Sequence, residues 1–174
     1  GQPVTMNAGA TPFGVNYAPM NSDNSNSGSW ASSQMRSTKM PQYLAKLPQA
    51  TQNAIGYVQK VTGTWDANTS GGSNSVTGDK CFLLSGKEIF GGSGAGNGSY
   101  CTTNEANATF QYQYFQSIAT TPVSRDINSS ANQYWWLRSP SYNDSDEFCG
   151  VQFGSSDSNG AYGGLGVFAA FCIY

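Results

Sequence analysis

Four acids lie close together near the end of the chain: Asp144, Asp146, Glu147 and Asp157. Carboxylates so placed have two chemistries open to them. They could hold calcium, a hard cation that takes about six to eight oxygen ligands. Alternatively Asp144, with Asp146 or Glu147, could supply the acid and base of a glycosidase. Neighbouring acids also occur in any solvated turn, so neither chemistry is specified by them. The four cysteines, Cys81, Cys101, Cys149 and Cys172, show no CxxC spacing, and no zinc site is expected. Cys149 and Cys172 sit in apolar, strand-like runs, where free cysteine behaves as a small buried hydrophobe rather than a reactive thiolate. Buried thiols are expected, with disulfides the alternative that an even count permits. The sequence has no histidine, which removes the commonest general base and metal ligand together. The glycine-rich run 91–99 lacks a Gly-Lys-Ser/Thr ending and follows a helix rather than a strand, so it reads as a loop, not a phosphate cradle. The expectation is a protein that is not an enzyme and uses no cofactor and no metal.

Binding is the other chemistry on offer. From Ser141 to Gly163 most residues are Ser, Asn, Asp, Tyr or Gly, and none is Lys or Arg. Tyrosine supplies stiff contact area at small entropic cost, and Ser, Gly and Asn adapt their hydrogen bonds, as in antibody loops. The ligand-contact surface is therefore expected at Tyr142, Asn143, Asp144, Ser145, Asp146, Glu147, Gln152, Ser155, Ser156, Asp157, Ser158, Asn159, Ala161 and Tyr162. Tyr142 and Tyr162 are the expected hot spots. The competing reading is an ordinary solvated loop, because the same residues dominate turns.

The elements that would position this surface are apolar. Upstream lies Tyr134-Trp135-Trp136-Leu137-Arg138-Ser139-Pro140, and downstream Gly166-Val167-Phe168-Ala169-Ala170-Phe171-Cys172-Ile173-Tyr174. Strands are predicted at Tyr134–Leu137, Phe148–Phe153 and Val167–Ile173. In the middle one Cys149, Val151 and Phe153 should face the core, and Phe148, Gly150 and Gln152 the other side. Trp135, Trp136 and Arg138 could stack a sugar; the favoured role is scaffold, since guanidinium offers five donors for tying loops together.

Earlier in the chain, residues 1–28 read as an extended arm contributing a strand or two, then a loop. Ser29 should cap a helix over Trp30–Lys39, Pro41 should restart the chain into a brief helix at Gln42–Lys46, and Pro48 should begin another, with Ala50, Ala54 and Ile55 inward. A strand is predicted over Tyr57–Thr62, a loop over 64–78 and a strand over Cys81–Leu84. Ser85 and Glu88 form a capping-box pattern for a short helix to Phe90. Asn104 should cap a helix over Glu105–Ile118, with Phe110, Tyr114 and Phe115 inward and Tyr112 at the rim. The fold class is α+β, one domain over 1–174, with antiparallel strands concentrated at the C-terminus.

Composition excludes several classes. Only 10% of residues are charged and 13% are aromatic, a polar but core-forming mixture rather than a disordered one. All eight basic residues lie at or before Arg138, and four of the ten acids follow it. No basic stripe is available for phosphates, so no nucleic-acid partner is expected. No apolar run approaches the length that spans a bilayer, so no membrane insertion is expected. The chain begins Gly1-Gln2-Pro3 rather than with Met, and an upstream leader or domain is expected to have been removed.

One family carries this pattern. Trp30…Arg36, Leu47-Pro48, Phe82-Leu83-Leu84-Ser85…Glu88…Phe90-Gly91, the Trp135–Pro140 block and Gly166-Val167…Ala170-Phe171-Cys172-Ile173 resemble a phage and bacterial domain with a WWLRSP…GVRPAFCI signature. The chain is similar to the variable proteins of diversity-generating retroelements over roughly Trp30 to Ile173. That resemblance implies a C-type-lectin fold, hypervariable residues on a fixed scaffold, and mutagenesis at adenines that turns AAC or AAT codons towards Ser, Asp, Tyr and Gly. It implies a protein or cell-surface ligand and a virion or cell-surface location. Alternatives are a static structural or tail-decoration domain, or an oxidase or glycosidase of related fold. Tyr142-Asn143-Asp144 echoes the lectin calcium motif without its paired Glu-Pro-Asn. The family's Arg-Pro in the last strand is Phe168-Ala169 here, so either another group braces that region or Phe168 belongs to the surface.

Overall fold

The computed structural model describes residues 17–64, 73–91, 111–117, 134–142 and 144–174, and the backbone of 4–7. It is an α+β fold whose strands are concentrated towards the C-terminus. Among the described residues seven strands form three antiparallel groups. β1 (Val4–Asn7) pairs with β7 (Phe168–Phe171), β2 (Val58–Gly63) with β3 (Asn74–Asp79), and β4 (Trp135–Pro140), β5 (Glu147–Gln152) and β6 (Ser155–Gly160) form one sheet in that order. The arm thus contributes a strand, as expected. Isolated bridges, Ala18 to Leu165, Phe82 to Ala170, Ile55 to Ile173 and Trp135 to Gly166, knit the groups together.

The helices are short and broken differently from the expectation. α1 covers only Ser29–Ser32, and its cap is Gly28 in the left-handed region (φ 72°). Ser29 does not cap; its buried hydroxyl donates to the Gly63 carbonyl at 2.7 Å. A π-turn at Met35–Lys39 runs directly into α2 (Met40–Ala45), so Pro41 sits inside the helical stretch and does not restart it. Proline removes one ladder bond and crowds the carbonyl four residues back; the widened π-turn lies where that carbonyl must give way. Pro48 is the cap of α3 (Gln49–Ala54), which buries none of its residues; of the expected inner face only Ile55, just beyond it, is buried.

Ser85 and Glu88 do form the capping box that opens α4 (Gly86–Phe90). Cys81–Leu84 is buried but extended without a strand ladder, joined to the sheets by the Phe82 bridge to Ala170 and by the Arg138 N–H on the Leu84 carbonyl. The described helix in the next segment is α5 (Gln113–Ser117). Phe115 is buried and Tyr112 packs on the core, but Tyr114 faces solvent, against the expected inward stripe. Asn104, Phe110 and the loop 92–99 lie outside the described residues.

β4 is the centre of the core. All six of its residues are buried, with both indoles at 0% exposure. Trp136 Nε1 donates to the Ala18 carbonyl at 2.7 Å. Phe168 meets Trp135 edge-on at 5.1 Å and is buried, so it belongs to the core and not to the surface. Arg138 is wholly buried and bonds the Val61 and Leu83 carbonyls, Thr62 Oγ1 and Glu88 Oε2, the last at 2.5 Å. Lys60 Nζ reaches Glu88 Oε1 at 2.9 Å and Tyr112 Oη at 2.8 Å. This network ties β2, α4, β4 and Tyr112, the residue before α5, together, the scaffold role expected of Arg138. Cys81, Cys149 and Cys172 are buried free thiols.

Candidate functional site

The outward-facing polar residues of the C-terminal region are held by a strand that the sequence reading took for loop. β6 (Ser155–Gly160) pairs with β5 along its whole length, from Glu147 with Gly160 to Gln152 with Ser155. The two strands are joined by a two-residue turn, Phe153-Gly154, with φ of 49° and 72°. Positive φ at both positions is what a type I′ hairpin turn requires, and it suits the twist of the flanking strands. Asn-Gly is its preferred sequence. A phenylalanine there is strained. Phe153 is half exposed and packs edge-on against Tyr134 at 5.7 Å, which corrects its assignment to the core face. On the other side of the expected alternation, Phe148 and Gly150 are buried too, so the middle of β5 is covered on both faces.

One sheet face carries a pocket of about 190 Å³, lined by Tyr134, Gly150, Gln152, Asp157, Asn159 and Leu165 among others. Cross-strand partners share a face, so Gly150 and Asp157, Gln152 and Ser155, and Phe148 and Asn159 point the same way. Gly150 lines the pocket, and a Cβ there would be crowded, 3.0 Å from the Trp135 carbonyl oxygen and 3.3 Å from Leu165 Cδ1. The Gln152 side-chain amide donates to the Tyr134 hydroxyl. On the opposite face Ser158 donates to the Glu147 carboxylate.

The remaining expected contacts gather at the other end of β5 and β6. Tyr142, Asp144 and Ser145 are exposed, Asp146 and Glu147 half-buried, and Tyr162 is 64% exposed on the turn after β6. Asn143 lies outside the described residues. Ser155, Ser156 and Ser158 are half-buried along β6. Ala161 is wholly buried, so it is not a contact residue. Its carbonyl accepts from Met20 and Asn21, and its N–H donates to the Asp146 carbonyl.

That bonding shows what sequence reasoning missed: the segment around Asn21–Asn26 is the brace of these turns. The buried Asn26 donates from its side chain to the Asp144 and Glu147 carbonyls, at 2.7 and 2.8 Å, and from its backbone to the Ser145 carbonyl. Asn24 donates to the Asp146 carboxylate. Nothing in an Asn/Ser-rich run distinguishes such a brace from a free loop. Tyr134 and Phe153 were also missed as surface residues, having been assigned to apolar strands.

Electrostatics separate the two carboxylate groups. Burial raises the Glu88 carboxyl, but the charges of Arg138 and Lys60, with hydrogen bonds from Arg138 and the Ser85 N–H, outweigh it and leave it at about 2. Burial lowers Lys60, against the pull of Glu88. Asp144 is exposed, and its carboxyl is raised chiefly by a hydrogen bond with Asp146, then by desolvation and the charges of Asp146 and Glu147. The Cys81 thiol is pushed up to about 12 by burial and by Asp79, an environment unlike that of a reactive thiolate. Among the described residues no three His, Cys, Asp or Glu side chains gather as a metal site, and no helix is long and apolar enough to cross a membrane.

The α+β scaffold thus turns a polar hairpin and two tyrosine-bearing turns outward. Residues 13–174 match the family described as "Domain of unknown function (DUF6273)", and the chain belongs to it. No curated protein and no solved structure matches the chain.

Proposed function

We propose that this chain is a recognition protein. It offers the β5–β6 face and its adjoining turns to a protein or cell-surface ligand, from a C-type-lectin-like scaffold at a virion or cell surface. The observation that carries the reading is the contrast in burial within one sheet: β4 is wholly buried, while none of the six residues of β6 is. Large side chains stand out beside it, Tyr142 at 49% and Tyr162 at 64% exposure. Rigid aromatic rings on a braced frame lose little freedom on binding.

The likeness to variable proteins of diversity-generating retroelements supports the same reading, and the hairpin turn adds to it. A type I′ turn favours Asn-Gly, and this one is Phe153-Gly154. Replacing both adenines of an AAC or AAT codon with thymine converts asparagine to phenylalanine. Sequencing the DNA around the gene tests this. The expected finding is a near-identical copy of the 3′ coding region, differing at adenines, with asparagine at codon 153, beside a reverse transcriptase gene. A neighbourhood without such a copy would favour a static structural or tail-decoration domain. Binding itself is tested with labelled protein titrated onto bacterial cells that retain it. Tyr162→Ala should lower retention by about 2 kcal/mol or more, as for an interface hot spot, and unchanged retention would remove Tyr162 from the contact surface.

A further inference from the structure

The sheet pocket has a chemistry more specific than a general display surface. Its polar lining offers acceptors, the Asp157 carboxylate and the amide oxygens of Gln152 and Asn159, beside the hydroxyl-bearing Tyr134 and Ser158. Asp157 and Asn159 line it, and neither side chain has a hydrogen-bond or ion-pair partner among the described residues. Gln152 has committed its amide nitrogen to the Tyr134 hydroxyl, which leaves its amide oxygen unpartnered. The Tyr134 ring supplies an aromatic wall, steadied by Phe153. No lysine or arginine lies anywhere after Arg138, whereas Asp144, Asp146, Glu147 and Asp157 do. The segment that builds the pocket therefore carries net negative charge and no cation of its own.

Size narrows the occupant. At about 190 Å³ the pocket is smaller than the roughly 300–1,000 Å³ of sites that engulf a whole small molecule. It is of a scale to take the end of one side chain. Guanidinium matches the lining best, because its planar fork carries five donors and stacks on aromatic faces, whereas ammonium is a compact, strongly hydrated point charge. We infer that the Tyr134–Gln152–Asp157–Asn159 pocket is an anchor site for an arginine side chain of a protein partner. The inference rests on the recognition reading and specifies its partner: a protein whose contact surface is basic. Gly150 keeps the pocket open, and Asp157 provides the one formal charge within it. A cationic partner approaching this acidic segment would also be steered towards it, so association should slow as salt is added.

The test uses the intact, isotope-labelled chain and two small probes, N-acetyl-arginine amide and its neutral isostere N-acetyl-citrulline amide. Amide chemical shifts are followed by NMR. The arginine probe should move the Gly150, Gln152, Asp157 and Asn159 signals saturably, and citrulline should bind at least about tenfold more weakly, the scale of one charge-assisted hydrogen bond. Asp157→Asn should weaken the arginine probe by a similar factor while the melting temperature stays put. Equal binding of the two probes, no movement of those four amides, an unaffected Asp157→Asn variant, or larger shifts with a neutral monosaccharide would each overturn the inference. Such a failure is separable from failure of the recognition reading. Retention on cells that still depends on Tyr162 would leave recognition standing with a neutral partner, and loss of that dependence would remove the broader reading.

Discussion

Strands β4 and β6 flank the same central strand, roughly 10 Å apart by ordinary strand spacing, and differ in nearly everything else. β4 is Trp-Trp-Leu-Arg-Ser-Pro, buried at every position. β6 is Ser-Ser-Asp-Ser-Asn-Gly, with none of its residues fully buried. On its far side β4 is sealed by backbone bonds to Gly166 and Leu84, and its arginine reaches into a charged network. β6 is the last strand of its sheet among the described residues. The difference teaches how one sheet can serve two purposes. Backbone pairing with β5 holds β6 in place whatever its side chains are, while the side chains of β4 set the core. Stability and surface chemistry are thereby carried by different strands.

The comparison breaks first, if it breaks at all, at Trp136. Truncation of this wholly buried indole to alanine should cost about 3–5 kcal/mol, read by urea denaturation, whereas Asp157→Ala on β6 should stay within about 0.5 kcal/mol. Similar losses at the two positions would mean that β6 side chains also hold the core.

Acid titration tests the charged network behind β4. Glu88 is depressed in the folded state, from an ordinary 4.5 to about 2. Its contribution is therefore complete above the unfolded value and disappears as pH falls from about 4.5 towards 2. Glu88→Gln should flatten the fall in stability over that window and lower stability at pH 7, since Arg138 and Lys60 would be left facing a neutral amide. A wild-type stability that does not change between pH 5 and pH 2.5 is incompatible with an ionised Glu88 at the centre of the fold.

Legibility in the sequence follows the same division. The Trp135–Pro140 block and the Ser85–Glu88 cap could be read because apolar runs and capping patterns have local causes. β3 and β6 could not. Asn74–Asp79 and Ser155–Gly160 have no alternation of apolar and polar residues, since neither presents an apolar face; each is a strand because a neighbouring strand pairs with it. Ala161 misled for a related reason. A small residue in a polar run carries no burial signal of its own, and it is buried by backbone bonds from Met20 and Asn21, about 140 residues away in the chain. The exposed residues at the turns were readable from composition, but the pocket was not, because Tyr134 and Gln152 are brought together only by the pairing of β4 with β5.

The smallest effect sharpens the comparison most. Phe153 holds a left-handed backbone, which costs a residue with a Cβ roughly 1–2 kcal/mol, and asparagine adopts it more readily. Its ring meanwhile gains the edge-on contact with Tyr134, worth about 0.5–1.5 kcal/mol. In the native chain these two terms nearly cancel, so Phe153→Asn should change stability by less than about 0.5 kcal/mol. In a Tyr134→Ala background the contact is already gone, and the same substitution should stabilise by about 1 kcal/mol. The double-mutant cycle, measured by denaturation, isolates the ring pair as a coupling term. A coupling near zero would show that Phe153 is carried by the turn without help from Tyr134. A coupling at the expected size would show that even on the exposed hairpin one aromatic pair is fixed to the frame, leaving Asp157, Asn159 and the serines as the positions where sequence can change at little cost.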